Sequence, residues 1–289
     1  MYTLFTDTDT DITPEVAKQY GYHIISMPYS IDGKTVFPYE DFEVFDPKPF
    51  YDMLRAGTMT TTSGISEERY KQYFEPVLAE GKDILYVHFS RAMSMTFEAM
   101  ERAIKSLLEK YPERKIQTID TKAISGLGLL ILKEVGDMYL AGKTADEIIK
   151  WSETEIDHFA MYMCVDDLKF FKRSGRVSGL TATMGTLLGI RPIIHINDKG
   201  QMVNIGKEKG RAKALDRLVQ YVEDLGDDLE NHRLIVAHSD ADEMVEEIIA
   251  LLREKYGDKL AIETSMVNPT LGGHCGPNGV AVCFHSVHR

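Results

Sequence analysis

The sequence of 289 residues has little cysteine and no long apolar run. Its three cysteines, Cys164, Cys275 and Cys283, are too few and too widely spaced to form a disulfide framework, so a reducing compartment is expected. The most apolar window, residues 127–132, is far shorter than the roughly 20 residues that a bilayer-spanning helix needs. Residues 1–11 lack the cationic region and the apolar stretch of a secretory signal. We therefore expect a cytoplasmic protein.

Basic residues are also few relative to acidic ones. The chain carries 33 basic and 45 acidic side chains, which gives a formal net charge of −12. Cationic side chains provide most of the affinity for nucleic-acid phosphates and anionic lipid headgroups, so this balance argues against a nucleic-acid partner and leaves at most a transient contact with a membrane. With 44% hydrophobic and 27% charged residues, the composition is typical of a globular protein with one large domain or two ordinary ones.

Short apolar runs alternate with amphipathic stretches in the first half of the chain. Residues 96–111 are the clearest helix, because Phe97, Met100 and Leu107 recur at helical spacing with charges on the opposite face. Further helices are predicted at 67–78 and 127–140, and strands at 2–5, 23–27, 84–89 and 116–119. Because right-handed crossovers join strands that alternate with helices, this order predicts a mainly parallel sheet.

The alternation starts again at about residue 161. Strands are predicted at 161–165, 192–196, 234–237, 261–266 and 280–284, and long helices at 209–225 and 241–256. Between the first two of these strands lies a segment rich in Gly, Ser and Thr, residues 169–189. We place a boundary near residues 155–160, which predicts an α/β fold of two lobes, 1–157 and 158–289, with a cleft between them.

The common cofactor and hydrolase motifs are absent from the sequence. A dinucleotide site needs G-x-G-x-x-G directly after a strand, but Gly126 and Gly128 are followed by Ile131 where the third glycine would stand. Neither a Walker loop nor the G-x-S-x-G of α/β hydrolases occurs. We therefore interpret the two glycines as packing positions and expect no nucleotide cofactor.

The C-terminal histidines and cysteines do not have the spacing of a zinc site. Structural zinc ligands come in close pairs, whereas Cys275 and Cys283 are eight positions apart. The interpretation that we favour is a buried strand cysteine at 283 with solvated terminal histidines at His285 and His288. No metal is expected.

Two segments rich in hydroxyl groups are the strongest candidates for a ligand site. Residues 60–66 precede the helix that begins at Glu67, and residues 90–96 lie between a strand and a helix. Ligands of parallel α/β sheets bind beyond the carboxyl ends of strands, where helix N-termini favour an anion. The alternative is ordinary helix capping, by Ser66 and Thr96. Because residues 60–66 contain no Lys or Arg, a carboxylate suits this site better than a polyphosphate.

Two further segments are candidates to complete such a pocket. Residues 172–179 place Lys172, Arg173 and Arg176 on a predicted Gly/Ser turn, which either contacts an acidic head group or a partner, or is a solvated basic turn. Residues 274–279 form a predicted loop held by glycines and a proline before the last strand. His274 in this loop either donates a hydrogen bond to an anion or makes a local turn hydrogen bond.

Taken together, these segments resemble the DegV family, also called the FakB-type fatty-acid-binding proteins, over nearly the whole chain. Residues 6–12 are similar to the family's T-D-S-T-x-D-L, 62–65 to T-S-Q-P, 90–96 to S-x-x-L-S-G-T, and 120–128 to D-T-x-x-x-S-x-G-x-G. Further on, 174–177 match G-G-R-I, 189–194 match I-K-P-I-L, 211–215 match R-x-x-K-A-L, and 274–279 resemble H-x-G-P-G-x-x-G.

The resemblance implies a two-lobed fold of the EDD type, with a mainly parallel sheet in the first lobe and a mixed sheet with helices in the second. It implies a long-chain fatty acid in a buried tunnel, with its carboxylate held by Thr62 and Ser94, His274 close to the head group and Arg176 at the entrance. Ser63 and Met95, which adjoin the two hydroxyl residues, are counted with the ligand-binding positions. The family's best understood members are not enzymes but present the acid to a separate ATP-dependent fatty acid kinase, which makes the acyl phosphate for phospholipid synthesis.

Three departures from the family motifs concern the head-group region. Gly64-Ile65 replaces Gln-Pro, Met95 replaces the glycine after the serine, and Ser174 replaces one glycine of G-G-R. Two other functions stay open at this point. One is a binding module for another apolar anion, and the other is an acyl or phosphoryl transferase with His274 as general base.

Overall fold

The computed structural model describes residues 2–180 and 189–289. In chain order the strands are β1 (Tyr2–Asp7), β2 (Tyr22–Ile25), β3 (Tyr29–Ile31), β4 (Lys34–Val36), β5 (Thr60–Thr62), β6 (Asp83–His88), β7 (Ile116–Asp120), β8 (Phe159–Cys164), β9 (Val177–Ser178), β10 (Ile190–Ile196), β11 (Met202–Lys209), β12 (Arg233–Ser239), β13 (Ala261–Met266) and β14 (Gly279–His285). The helices are α1 (Pro14–Tyr20), α2 (Pro47–Arg55), α3 (Glu67–Ala79), α4 (Thr96–Lys110), α5 (Ser125–Leu140), α6 (Ala145–Glu155), α7 (Lys169–Ser174), α8 (Arg211–Leu225), α9 (Asp242–Tyr256) and α10 (Pro269–Cys275).

The first sheet is parallel, as predicted. Its strand order is β2-β1-β6-β7, and each neighbouring pair runs in the same direction. The central strand β6 is an unbroken run of buried residues from Ile84 to His88, which is typical of a strand covered by helices on both faces. Because β1 and β6 are parallel neighbours, the segments that follow them leave the sheet at the same edge. Those segments contain Asp9 and Ser94.

The second sheet is mixed, which confirms the predicted fold class. Its strand order is β13-β12-β14-β8-β10-β11-β9. Strand β14 is antiparallel to both β12 and β8, whereas β12 and β13 are parallel. Helix α5 packs against β12 and β14 of this sheet although its chain position follows the first sheet. A Cβ atom at Gly126 would lie 2.6 Å from the Cβ atom of Ala237, so the glycine allows this close approach.

A small antiparallel sheet of order β4-β3-β5 was not predicted. Residues 60–62, for which no strand was predicted, form its strand β5, in which Thr62 pairs with Tyr29 of β3. Its strands of three residues are too short for an alternation of apolar and polar positions to be recognised. Helix α2 and strand β11 were missed as well. Residues 181–188, within the segment rich in Gly, Ser and Thr, lie outside the described residues.

Two predicted turns and one predicted cap are corrected by the structure. Lys172 and Arg173 lie in the last turn of α7, which ends at Gly175 in the left-handed conformation, and not on a Gly/Ser turn. His274 lies in the last turn of α10 and not in a loop. Thr96 is the first residue of α4 rather than its cap, and its N–H donates to Ser94 Oγ instead. Ser66 caps α3 as predicted, because its Oγ accepts a hydrogen bond from the N–H of Arg69.

The C-terminal histidines are also placed differently from the prediction. His285 is buried rather than solvated, and its ring stacks on that of His232 at 3.9 Å between centroids. Its Nδ1 hydrogen-bonds to the backbone carbonyl of Asp227. His288 is exposed, and Cys283 is a buried strand residue, both as predicted. Among the residues that the structure describes, no cluster of His, Cys, Asp or Glu side chains could hold a metal ion.

One buried apolar cluster extends from the first sheet to the second. It includes Leu4 and Leu85 of the parallel sheet together with Met161 and Ile194 of the mixed sheet. The predicted boundary at 157/158 falls at the end of a 3-10 turn, Ile156–His158, directly before β8. The division into lobes at that point stays a prediction. Within the described ranges, no helix is both long and apolar enough to cross a bilayer.

Candidate functional site

An internal cavity of about 380 Å³ lies where the segments after β1 and β6 meet β5, β8, β12 and α10. This volume is within the range of small-molecule sites, which run from roughly 300 to 1,000 Å³. All the site residues that the sequence predicted line it: Thr62, Ser63, Ser94, Met95, Arg176 and His274. The structure thus brings together residues from four separate segments of the chain. What each of them binds stays a prediction at this point.

Thr62 and His274 form a direct hydrogen bond across the cavity wall. The Oγ1 atom of Thr62 lies 2.9 Å from Nε2 of His274. Thr62 is fixed by the pairing of β5 with β3, and His274 by α10. The N-terminus of α10 is in turn fixed by Asn268, whose Nδ2 donates to the backbone carbonyl of Thr8 and to Asp11 Oδ1. The positions of both residues therefore depend on the tertiary fold, not on local sequence.

The imidazole of His274 is neutral near pH 7. Burial, together with the positive charges of Arg176 and Arg173, lowers the pKa of His274 from 6.5 to about 4. A neutral imidazole has one nitrogen that donates and one that accepts. If Nε2 carries the proton, it donates to Thr62 Oγ1, and the threonine O–H is free to donate to a ligand.

Ser94 lies between β6 and α4 and has a spare hydroxyl proton. Its Oγ accepts a hydrogen bond of 3.2 Å from the N–H of Thr96, which leaves its own O–H free to donate into the cavity. The neighbouring loop is tied to the same helix, because the N–H of Ile65 donates to Thr96 Oγ1. A Cβ atom at Gly64 would lie 2.9 Å from that of Thr96. A glycine at position 64 therefore allows the two hydroxyl segments to pack closely.

The cavity mouth is marked by Met95 and Arg176. Met95 is 76% exposed although it also lines the cavity. Arg176 is exposed at the same opening, and a surface groove that both residues share continues from it. Arg173 plays a different part, since its guanidinium donates to the backbone carbonyl of Thr60. It fixes β5 and adds positive charge close to His274.

Most of the remaining wall is apolar. It consists largely of Met, Ile, Leu, Val, Ala and Phe side chains, among them Met27, Ile65, Phe89, Met93, Ile124, Met161, Met163, Phe171, Met202 and Leu271. Methionine is unbranched and adapts its shape to irregular neighbours. A wall of this kind can enclose a flexible apolar chain, while the hydroxyls and the imidazole at the mouth can hydrogen-bond a polar head group.

Asp9 was not predicted as a site residue, although it lies in the N-terminal motif of residues 6–12. Asp9 follows β1, lines the cavity and is only 7% exposed. Burial and the neighbouring Asp7 and Asp11 raise the pKa of Asp9 well above its ordinary value. The signal that could have identified it is its place directly after a predicted strand, at the same sheet edge as Ser94.

Comparisons with known proteins agree with this architecture. A family model described as "Uncharacterised protein, DegV family" matches residues 1–287. A DegV domain-containing protein of Clostridium perfringens is 35% identical over 284 residues, which are 98% of this chain and 97% of that protein.

Solved structures with the same fold include one from Eubacterium ventriosum and one from Ruminococcus gnavus. A stearic acid-binding protein from Eubacterium ventriosum superposes with a TM-score of 0.86 at 19% identity and covers 98% of this chain and 97% of its own. A DegV family protein of Ruminococcus gnavus, described with vaccenic acid, has a TM-score of 0.85 at 21% identity and covers 98% and 99% of the two chains. At these identities the likeness shows the fold. The family model over residues 1–287 and the 35% identity to the Clostridium perfringens protein show that the chain belongs to the DegV family.

Proposed function

We propose that this protein binds a long-chain fatty acid in the cavity, with the carboxylate at Thr62 and Ser94 and the acyl chain along the apolar wall. The observation that carries the proposal is that one cavity has hydroxyl groups and an imidazole at its mouth and mostly apolar side chains beyond them. The solved family members described with stearic and vaccenic acid support the same ligand class. In this arrangement residues 1–157 supply the two hydroxyls, and residues 158–289 supply His274 and Arg176 and cover the acyl chain.

The head group needs donors, because a buried carboxylate without hydrogen bonds costs several kcal/mol. The hydroxyls of Thr62 and Ser94 both have protons to donate, and His274 supports the first of them from behind. Ser63 and Met95 adjoin the two donors and complete the rim of the mouth. Arg176 attracts the anion to the entrance through its positive charge.

The acyl chain supplies most of the binding free energy. About 14 methylene groups at roughly 0.8 kcal/mol each give about 11 kcal/mol before costs. Ordering of the chain and loss of rigid-body freedom remove much of this gain. The net affinity therefore depends on a tight fit to the apolar wall, and the head group fixes the orientation of the acid.

The direct test is to extract the purified protein with solvent and identify any bound acid by mass spectrometry. We expect long-chain fatty acid in the extract, and an increase in melting temperature when such an acid is added to stripped protein. Saturation at about 100 times the dissociation constant stabilises a protein by about 2.7 kcal/mol, which is easily measured. An extract without lipid, together with no shift on addition of acid, would refute the proposal.

We also propose that the bound acid is presented to a separate ATP-dependent fatty acid kinase in the cytoplasm, which forms the acyl phosphate used in phospholipid synthesis. The exposure of Met95 and Arg176 supports this step, because a carboxylate between Thr62 and Ser94 lies close to the surface groove. Loaded protein, ATP and a fatty acid kinase subunit should give acyl hydroxamate in the presence of hydroxylamine. No hydroxamate above the level obtained with free acid would contradict the partnership.

The Thr62–His274 hydrogen bond is also compatible with a second candidate function, that of an acyl or phosphoryl transferase with His274 as general base. The geometry of a hydroxyl 2.9 Å from an imidazole suits such chemistry. The low pKa of His274, about 4, makes it a weak base and argues against it. Thioesterase or acyl-phosphate hydrolysis activity that is lost in His274→Ala would favour this alternative. Displacement of a fluorescent fatty acid by another apolar anion would instead indicate a different ligand.

A further inference from the structure

One carboxyl group in the cavity wall lacks a partner. Asp9 Oδ1 is buried and has no hydrogen-bond partner among residues 2–180 and 189–289. Its neighbours differ from it in this respect. Asp7 Oδ2 accepts a hydrogen bond from the hydroxyl of Tyr86 at 2.9 Å, and Asp11 Oδ1 accepts one from the backbone N–H of Asn268. Neither Asp7 nor Asp11 lines the cavity, whereas Asp9 does.

An unpaired buried polar atom costs free energy, and most such atoms in folded proteins have a partner. Because Asp9 also lines the cavity, a polar group on a molecule that fills the cavity can provide a partner for its carboxyl group. The family motif T-D-S-T-x-D-L, aligned with residues 6–12, has a threonine where this chain has Asp9. The carboxyl group is thus an addition to the wall at a position where the motif has a smaller hydrogen-bonding group.

We propose that Asp9 is a specificity-determining residue that selects acyl chains bearing a hydroxyl substituent at the point where the chain passes it. This inference rests on the proposed function and narrows its ligand class to hydroxylated long-chain acids. The ligand carboxylate remains at Thr62 and Ser94, near the exposed Met95. Asp9 is only 7% exposed and lines the same cavity, so the hydroxyl group that it selects is on a part of the ligand that the cavity encloses.

The chemistry of Asp9 matches a hydroxyl group rather than a cation or an anion. Burial and two neighbouring carboxyl groups favour its protonated form, which has one O–H donor and a carbonyl acceptor. An alcohol also has one donor and accepts with its lone pairs, so the two groups can exchange two hydrogen bonds. A plain methylene chain offers neither, and it leaves Asp9 Oδ1 unpaired. Sites built to bind a hydroxyl reject the analogue that lacks it.

The test compares octadecanoic acid with hydroxyoctadecanoic acids that carry the hydroxyl near the carboxyl end, at mid-chain or near the methyl end. Dissociation constants of the wild-type protein are measured by calorimetry after delipidation. We expect one positional isomer to bind about tenfold more tightly than octadecanoic acid, equivalent to about 1.4 kcal/mol. Affinities of all isomers within about twofold of the parent acid overturn the inference and leave fatty-acid binding intact. If no acid binds, the proposed function fails and this inference fails with it.

Two substitutions test whether Asp9 causes the preference for a hydroxylated acid. Asp9→Asn keeps a donor and an acceptor and should retain the preference. Asp9→Leu removes both at similar size, and should bind octadecanoic acid at least as well as the wild type while losing the preferred isomer's advantage. If Asp9→Leu loses affinity equally for octadecanoic acid and for the preferred hydroxyl isomer, the role of Asp9 is merely structural and the inference is contradicted. Should Asp9→Leu not fold, the wild-type isomer series and Asp9→Asn decide the question.

Discussion

Thr62 Oγ1 and His274 Nε2 lie 2.9 Å apart although 212 positions separate them in the chain. One belongs to a three-residue edge strand and the other to the last turn of a short helix. With the imidazole kept neutral and Nε2 protonated, His274 occupies a lone pair of the threonine oxygen and directs the threonine proton elsewhere. In this tautomer the threonine hydroxyl is oriented to donate to the ligand that we propose.

Thr62→Ala should weaken fatty-acid binding by about 1–3 kcal/mol, because one lone pair of the buried carboxylate loses its donor. The matched control is Thr61→Ala, which removes the same hydroxyl from the same strand at an exposed position outside the cavity. Titration with a fluorescent long-chain acid measures the affinity of both variants. Equal affinity of wild type and Thr62→Ala would mean that the carboxylate lies elsewhere.

Ser94→Ala should lower both acid affinity and stability, since Ser94 Oγ also accepts the N–H of Thr96 at the start of α4. We expect about 1–3 kcal/mol of lost binding and about 1 kcal/mol of lost stability. Ser66→Ala is the comparison variant, because Ser66 caps α3 but does not line the cavity. It should lose stability alone. Calorimetric binding and denaturant unfolding separate the two effects, and unchanged binding in Ser94→Ala would refute its assigned role.

The predictable part of the fold is the part with long, regular elements. The helix predicted at 96–111 is α4, and the strand predicted at 84–89 is β6, each within one or two residues. Both have enough residues for their hydrophobic period to be recognised. Strands β3, β4 and β5 have three residues each, and they are defined by pairing with one another rather than by any period.

The candidate site was predictable only in part. The segments 60–66 and 90–96 were predicted from their places beside regular elements, where parallel sheets bind ligands, whereas the choice of Thr62 and Ser94 within them came from the family resemblance. The Thr62–His274 contact was not, since nothing in either local sequence indicates the other. Asp9 was missed for a related reason: its significance is an unpaired oxygen, and the sequence does not show which carboxyl groups of residues 7–11 find partners.

Gly276 should tolerate no side chain. Its φ of 72° is unfavourable for other residues, and a Cβ atom there would lie 2.2 Å from the ring of the buried Phe170. Gly142 has a similar φ of 80° with nothing within 4 Å, so Gly142→Ala measures backbone strain alone, about 1–2 kcal/mol. Gly276→Ala should lower the free energy of unfolding by roughly 1–3 kcal/mol more than Gly142→Ala does, because its methyl group overpacks against Phe170. Denaturant unfolding measures the stability of both variants. Equal losses of stability in the two would show that Phe170 moves aside freely.

The carboxyl groups of Asp7, Asp9 and Asp11, at the end of β1 and just after it, should make the protein less stable as pH rises from about 4 to about 7. Burial raises the pKa of Asp11 from 3.8 to about 7, against the opposing effect of hydrogen bonds from Ser125 and Asn268. Between those values the folded protein holds a proton that the unfolded chain has released. The stabilisation is thus complete below the unfolded pKa and lost as pH rises through the folded one.

Asp11→Asn tests this linkage, because the amide can still accept from Asn268 and can donate to Ser125. The free energy of unfolding of the variant should vary less with pH in this window, by up to about 1.4 kcal/mol per pH unit, the value for one proton. His274 acts in the opposite sense, since its pKa is lowered to about 4 and its contribution is lost as pH falls below 6.5. The difference between the pH profiles of the unfolding free energy of variant and wild type therefore reports Asp11 alone. The profile of the wild type by itself also contains the contribution of His274. Parallel curves from urea unfolding across this range would show that Asp11 is already ionised in the folded protein.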